Sequence, residues 1–193
     1  EFMNIAIDEL LREASPGLSD INHIAVDQGP ESFTGIRVSI SVARSLCYIL
    51  KRPCLVTQSL SLLGVQASQY SPQTTILCGM NAYKNLIFFS HLREGEQSES
   101  RTLSPAEIEE FCQNLKPPFV WTGNGLESYR SLFSREFLEQ VTTISGLSDH
   151  PQASVLASLA RQSSPSTWIQ DWKFISPLYL RASAAEESLR SRS

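Results

Sequence analysis

At 193 residues, with 41% hydrophobic and 19% charged residues, the chain suits one domain of two lobes or two small domains and can bury a core. A net charge of −4 makes it a poor candidate for holding RNA by itself, because phosphate contacts need clustered Lys and Arg. No apolar run approaches the ~18 residues of a membrane span, and the opening residues do not read as a secretory signal.

In chain order, Glu1-Phe2 ahead of Met3 read as a cloning remnant. Met3 to Ala14 reads as an amphipathic helix, with Ile7, Leu10, Leu11 and Ala14 on one face and Asp8, Glu9 and Arg12 on the other. Ser15-Pro16-Gly17 ends it. Ile24 to Val26 is a short strand, followed by a loop through Phe33. Thr34 is placed to cap a helix running from Gly35 to Leu50. That helix is apolar on more than one side. Ile36, Ile40, Ala43, Cys47 and Leu50 share one face. Val38, Val42 and Ile49 lie on another, with Ser39, Ser41 and Ser45 between them. Such a helix has more than one thing to pack against.

Cys54 to Thr57 reads as a second strand, and Ser59 as the cap of a helix through Ser68 with Leu60, Leu63 and Ala67 inward. Thr74–Cys78 and Leu86–Leu92 are expected to pair antiparallel through a turn at 80–85. Arg93 to Arg101 reads as an exposed loop. Ser104-Pro105-Ala106-Glu107 carries a serine cap, a proline in the first turn and a glutamate placed to close a capping box, for a helix through Leu115. Phe119–Trp121 and Val141–Ile144 are strands, separated by a turn at Thr122–Gly125 and a helix to about Phe133. Pro151 opens a last helix bearing Val155, Leu156, Leu159 and Ala160, and the tail from Ala182 reads as frayed or disordered.

The residues that carry chemistry are few. Cys47, Cys54, Cys78 and Cys112 form no C-x-x-C pair and read as buried, reduced thiols of a cytosolic protein. His23, His91 and His150 are far apart, so neither a metal site nor a cofactor is expected. The glycine loop before Gly35 has two readings. It is an anion cradle at a helix start, assisted by Arg37 but opposed by Glu31, or it is a tight strand-to-helix connection. Ser32 does not sit in a G-x-S-x-G elbow, and no carboxylate is evidently placed to orient His23. Glu109-Glu110 and Glu186-Glu187 are adjacent on helices and point apart. Trp121, Trp168 and Trp172 read as packing residues, with no basic residues nearby to favour stacking on a base.

The stretch GPESFTGIR resembles the GPGSFTGLR signature of the TsaB (YeaZ) family, which serves threonylcarbamoyl-adenosine formation in bacterial tRNA. Gly29, Pro30, Ser32, Phe33, Thr34, Gly35 and Arg37 match; Ile36 stands for leucine and Glu31 for glycine. The hairpin, where Asn81 and Asn85 stand for an aspartate and a glycine, and the closing Pro177-Leu178-Tyr179-Leu180-Arg181 are also similar to the family. The resemblance implies an α/β fold of two RNase H/actin-like lobes, the first lacking its N-terminal strands. Residues 1–70 would be the remnant of the first lobe with the interface helices, and residues 71–193 the second lobe and tail. A truncated start of this kind is expected to lower stability and favour self-association.

The resemblance further implies a non-catalytic subunit that binds and activates TsaD. TsaD is the catalytic paralogue that transfers a threonylcarbamoyl group to the adenosine beside the anticodon. TsaE, a small ATPase, joins the pair, and the subunit forms a homodimer when alone. tRNA is met only through the complex, in the cytoplasm and away from membranes. The expected interface residues are Ile7, Leu10, Leu11, Ile36, Ile40, Ala43 and Cys47. The alternative is an independent ATP- or metal-dependent enzyme of the actin-like/glycoprotease group.

Overall fold

The computed structural model describes residues 2–14 and 17–181. The expectations for the tail from Ala182, for Glu186-Glu187 and for Ser15-Pro16 lie outside the described residues.

The first elements are α1 (Phe2–Ala14), β1 (Ile24–Asp27), α2 (Phe33–Leu50), β2 (Cys54–Thr57) and α3 (Ser59–Ser68). β1 and β2 pair in parallel, Ile24 opposite Cys54 through Asp27 opposite Thr57. α2 crosses over that pair and packs Ile36, Ile40, Ala43 and Cys47 against Ile24, Val26 and Cys54. Ile175, far along the chain, closes this cluster and is fully buried.

A larger sheet follows, built from β3 (Thr75–Asn81), β4 (Ile87–Arg93), β5 (Glu96–Gln97), β6 (Arg101–Leu103), β7 (Phe119–Thr122) and β8 (Val141–Thr143). Its path is β5-β4-β3-β7-β8, with β6 also on β4. β3 and β4 are antiparallel, whereas β7 and β8 continue in parallel from β3. Between the strands come α4 (Pro105–Cys112), α5 (Gly125–Ser128) and α6 (Arg135–Leu138), and α7 (Ala153–Gln162) follows β8.

Both faces of this sheet are covered, which is why β3 and β4 read as near-continuous apolar runs. Ile76, Cys78 and Met80 of β3 meet Leu60, Leu63 and Ala67 of α3. Leu77, with Phe89 and Trp121, faces Ile108, Phe133 and Phe137 on the other side. α3 thus follows directly on β2 yet packs on the larger sheet.

Several local expectations are corrected. Ser32 caps α2, accepting from the Gly35 amide at 3.2 Å, so Thr34 lies inside the first turn. Ser59 is the first residue of α3 rather than its cap, and its hydroxyl is used elsewhere. The stretch 93–101 is not all loop, because β5 and the start of β6 line the edge of β4 there. α4 ends at Cys112, and the expected helix to Phe133 breaks after Ser128. The Ser104–Glu107 capping box forms as read. α2 is the one helix among the described residues long and apolar enough, at 18 residues and mean hydropathy 1.3, to cross a membrane by length and composition. No such stretch is expected from the apolar runs alone, because serines and arginines interrupt this helix. Its inward stripe is packed on β1, as in the core helix of a lobe.

Close approach is sharpest at Gly79, where an added Cβ would lie 2.1 Å from Trp121 Cζ2. The indole lies across the bare backbone of β3, with its Nε1 donating to the Gly123 carbonyl at 3.0 Å. Gly79→Ala should therefore displace a buried ring and cost at least about 2 kcal/mol. The check is the denaturant midpoint, which should fall with an unchanged slope.

Candidate functional site

The carboxyl end of β1 is where the matched motif meets the rest of the chain. Asp27 accepts from the Gly29 amide at 2.9 Å and from the Ser59 hydroxyl, 2.8 Å from one oxygen and 3.0 Å from the other. The Ser59 amide donates to the Gly29 carbonyl at 2.9 Å. One largely buried carboxylate thus ties β1, the motif loop and the start of α3 together. Burial is the largest influence on its pKa and raises it, the Gly29 and Ser59 hydrogen bonds oppose that, and nearby Glu31 raises it further; the result is a pKa of about 6.

Each motif residue then has a physical job. Gly29 sits at φ +97°, where an L side chain is strained, and a Cβ there would strike Ile36 Cδ1 at 2.7 Å. Pro30 is fully buried. A side chain at Gly35 would crowd the capping Ser32 oxygen at 2.9 Å. Phe33 stacks on Tyr179 at 5.0 Å between ring centroids, and Arg37 Nε donates to the Tyr179 hydroxyl at 3.0 Å. The loop makes a tight connection, with the amides of Gln28, Gly29 and Gly35 used within the chain.

α2 presents three sides rather than two. The inward side is Ile36, Ile40, Ala43 and Cys47, each at most 4% exposed. The second side carries Arg37, Arg44, Tyr48 and the C-cap Lys51, and it meets the C-terminal segment. Arg44 donates to the carbonyls of Ile175 and Lys173, at 2.7 and 3.0 Å, and Tyr48 packs edge-on against Trp172. The third side, Val38, Ser41, Val42, Ser45 and Ile49, faces outward; Ile49 is 64% exposed.

The expected interface residues therefore divide. Ile36, Ile40, Ala43 and Cys47 are engaged inside the chain. Ile7 and Leu11 of α1 are half-buried and Leu10 is 63% exposed. Sequence periodicity could find the apolar stripes of α2 but not decide which one the sheet takes.

The same closing segment bridges to the larger sheet. The Leu178 amide donates to Gln28, Thr102 donates to the Leu180 carbonyl, and Arg181 donates to the carbonyls of Ala82 and Tyr83 in the β3–β4 turn. Between the motif loop and that turn lies a cleft of about 450 Å³, lined by Ser32, Phe33, Asn81, Phe88, Asn124 and His150 among others. Asn81 accepts through its side chain from the Tyr83 amide at 2.7 Å and from the Tyr129 hydroxyl at 2.7 Å, and Asn85 takes the left-handed conformation, φ +59°, that a glycine would serve. Among the described residues no hydroxyl or thiol donates to a histidine ring, and no cluster of three His, Cys, Asp or Glu could hold a metal. His23 lies against Trp168 in a separate surface pocket with Pro53 and Arg161.

A family model described as TsaD, tRNA N6-adenosine threonylcarbamoyltransferase, matches residues 1–189. Over 138 residues the chain is 32% identical to the tRNA threonylcarbamoyladenosine biosynthesis protein TsaB of Buchnera aphidicola subsp. Schizaphis graminum, covering 68% of this chain and 65% of that protein. Identity to TsaB of Escherichia coli is 26%, covering 65% and 57%. Identity to TsaB of Bacillus subtilis is 23%, covering 94% and 79%. The chain thus spans less than two thirds of the first two relatives. A Pseudomonas aeruginosa structure titled as an uncharacterized protein with similarity to peptidase YEAZ superposes with a TM-score of 0.75 at 24% identity, covering 91% of this chain and 81% of that one. YeaZ from the same organism gives 0.68 at 23%, covering 89% and 80%. These two structures share the fold.

The Asp27 knot makes a prediction about pH. The folded carboxyl titrates near 6 and an unperturbed one near 3.8, so between those values the folded chain holds a proton that the unfolded chain has lost. The stability this group contributes is fully present below about pH 4 and lost as pH rises through 6. Relative to Asp27→Asn, the wild-type unfolding free energy should fall by roughly 2–3 kcal/mol between pH 4 and 7 and then level off. Denaturant melts of both proteins across that range provide the check.

Proposed function

The chain belongs to the TsaB (YeaZ) family and has its two-lobed, actin-like α/β fold, and from that premise we propose that it is a non-catalytic subunit in tRNA threonylcarbamoyladenosine biosynthesis. In this reading it binds a TsaD-type catalytic paralogue and supports transfer of the threonylcarbamoyl group to the adenosine beside the anticodon. A TsaE-type ATPase joins the pair, the chain pairs with itself when alone, and the work is done in the cytoplasm. The division near residue 70 into a first lobe with the interface helices and a second lobe with the tail is part of the same proposal.

The observation that carries it is the outward side of α2. Val38 and Ile49 are exposed, and the small Ser41 and Ser45 lie between them. Small side chains let a second helix come close, and burying the flanking apolar groups stabilises the contact by about 25 cal/mol per Å². α1 adds Ile5, Leu10 and the half-buried Ile7 as a second apolar surface. The rival reading, an independent enzyme, has the inter-lobe cleft as its centre, and among the described residues no hydroxyl or thiol there donates to a histidine ring.

Val38→Asp with Ile49→Asp puts two charges on the outward side without entering the core. The double variant should keep the wild-type melting temperature and lose at least tenfold in capture of a TsaD-type partner from co-expression. Capture at wild-type strength would contradict the proposal. Ala43→Arg cannot serve this purpose, because Ala43 is 4% exposed and the arginine should lower the melting temperature itself.

A further inference from the structure

Charge is unevenly distributed along this acidic chain. Residues 32–93 contain six Lys or Arg and no Asp or Glu, and residues 150–181 contain three and a single acid, Asp171. By contrast, residues 94–139 hold nine acids against four cations. The fold brings the two acid-poor stretches together at the C-terminal end of α2. There the Lys51 ammonium lies 4.2 Å from the centre of the Tyr48 ring, and Tyr48 meets Trp172 edge-on at 5.5 Å. Lys173 lies 5.9 Å from the centre of the Trp172 ring. Arg44 holds the backbone of 173–175 in place through two carbonyls. Phe174 projects beyond this platform, 73% exposed, and Tyr48 is 54% exposed. The one acid, Asp171, is turned to the chain itself, its carboxylate accepting from the Lys173 amide at 3.1 Å.

Cations at a helix C-terminus have an ordinary role in complementing the helix dipole. That role does not account for an exposed phenylalanine beside them, nor for aromatic rings with ammonium groups at their edges and faces. Alternating rings and cations on one surface match a polyanion whose own rings can stack, which is single-stranded nucleic acid. We infer that the Tyr48–Lys51 and Trp172–Phe174 platform is a contact surface for an unpaired segment of RNA. Ammonium groups of Lys51 and Lys173 meet phosphates while Phe174 and Tyr48 offer faces to bases. The choice of RNA over other polyanions rests on the tRNA-modification reading. The surface lies on a different side of α2 from Val38 and Ile49.

The experiment is fluorescence anisotropy with an unmodified tRNA transcript and with oligouridine, at 50 and 200 mM salt. It uses the full chain alone and co-purified with a TsaD-type partner. Lys51→Glu with Lys173→Glu should weaken RNA binding at least tenfold and flatten its salt dependence. Phe174→Ala should weaken it about fivefold with the salt dependence kept. Unchanged affinity in the charge-reversed protein, or no RNA binding by the wild type in either form, overturns the inference. So does a charge reversal that spares RNA binding and abolishes partner capture, which would make the platform a protein contact. Failure of partner capture by the wild type, with platform-dependent RNA binding intact, would instead sink the subunit reading and leave this surface standing.

Discussion

The packing of one helix on a two-stranded parallel pair is the constraint on which the rest depends. α2 buries Ile36, Ile40, Ala43 and Cys47 on β1, and that contact fixes which way its other two sides point. The launch is set just as firmly. Gly29 turns the chain through a left-handed conformation, Ser32 caps the first turn, and Asp27 locks the loop to the first residue of α3. Few degrees of freedom remain at the point where the helix leaves the sheet.

A helix fixed in this way can carry different contacts on its remaining sides. One side receives residues 172–181, which arrive from the far end of the chain and continue to the β3–β4 turn, so both lobes are anchored to the same rod. The other side is apolar and lightly built, and among the described residues it is largely exposed, with Val42 half-buried. The matched motif serves architecture. Its glycines and serine serve a bend and a cap, and its arginine reaches a tyrosine 142 residues away. Signature residues of this kind maintain the pose of a helix, and with it the direction in which its outward side points.

Much of this was legible in the sequence because its causes are local. β1, β2, the β3–β4 hairpin and the Ser104 capping box each announce themselves within a few residues, through apolar runs, turn residues and cap spacing. What escaped notice depends on distant partners. Thr34 and Ser32 are both competent caps, and only the loop path chooses Ser32. Ser59 looked like a cap because nothing local shows that Asp27 takes its hydroxyl. The short β5 and β6 carry too few apolar residues to signal a strand and exist because β4 offers an open edge. Lys173 stands beside Trp172 in the sequence, but the ring and cation that complete the cluster, Tyr48 and Lys51, come from the end of α2.

The claim that a partner covers the outward side of α2 can be put to one direct measurement. Cys47, Cys54, Cys78 and Cys112 are all buried, and burial pushes their thiols up, those of Cys54, Cys78 and Cys112 to about 12. A single exposed thiol introduced as Ile49→Cys is then the one that reacts quickly with a maleimide or disulfide reagent. Its labelling rate should drop at least tenfold when a TsaD-type partner is added in excess. A rate unchanged by a partner that demonstrably binds would place the contact elsewhere and contradict the account.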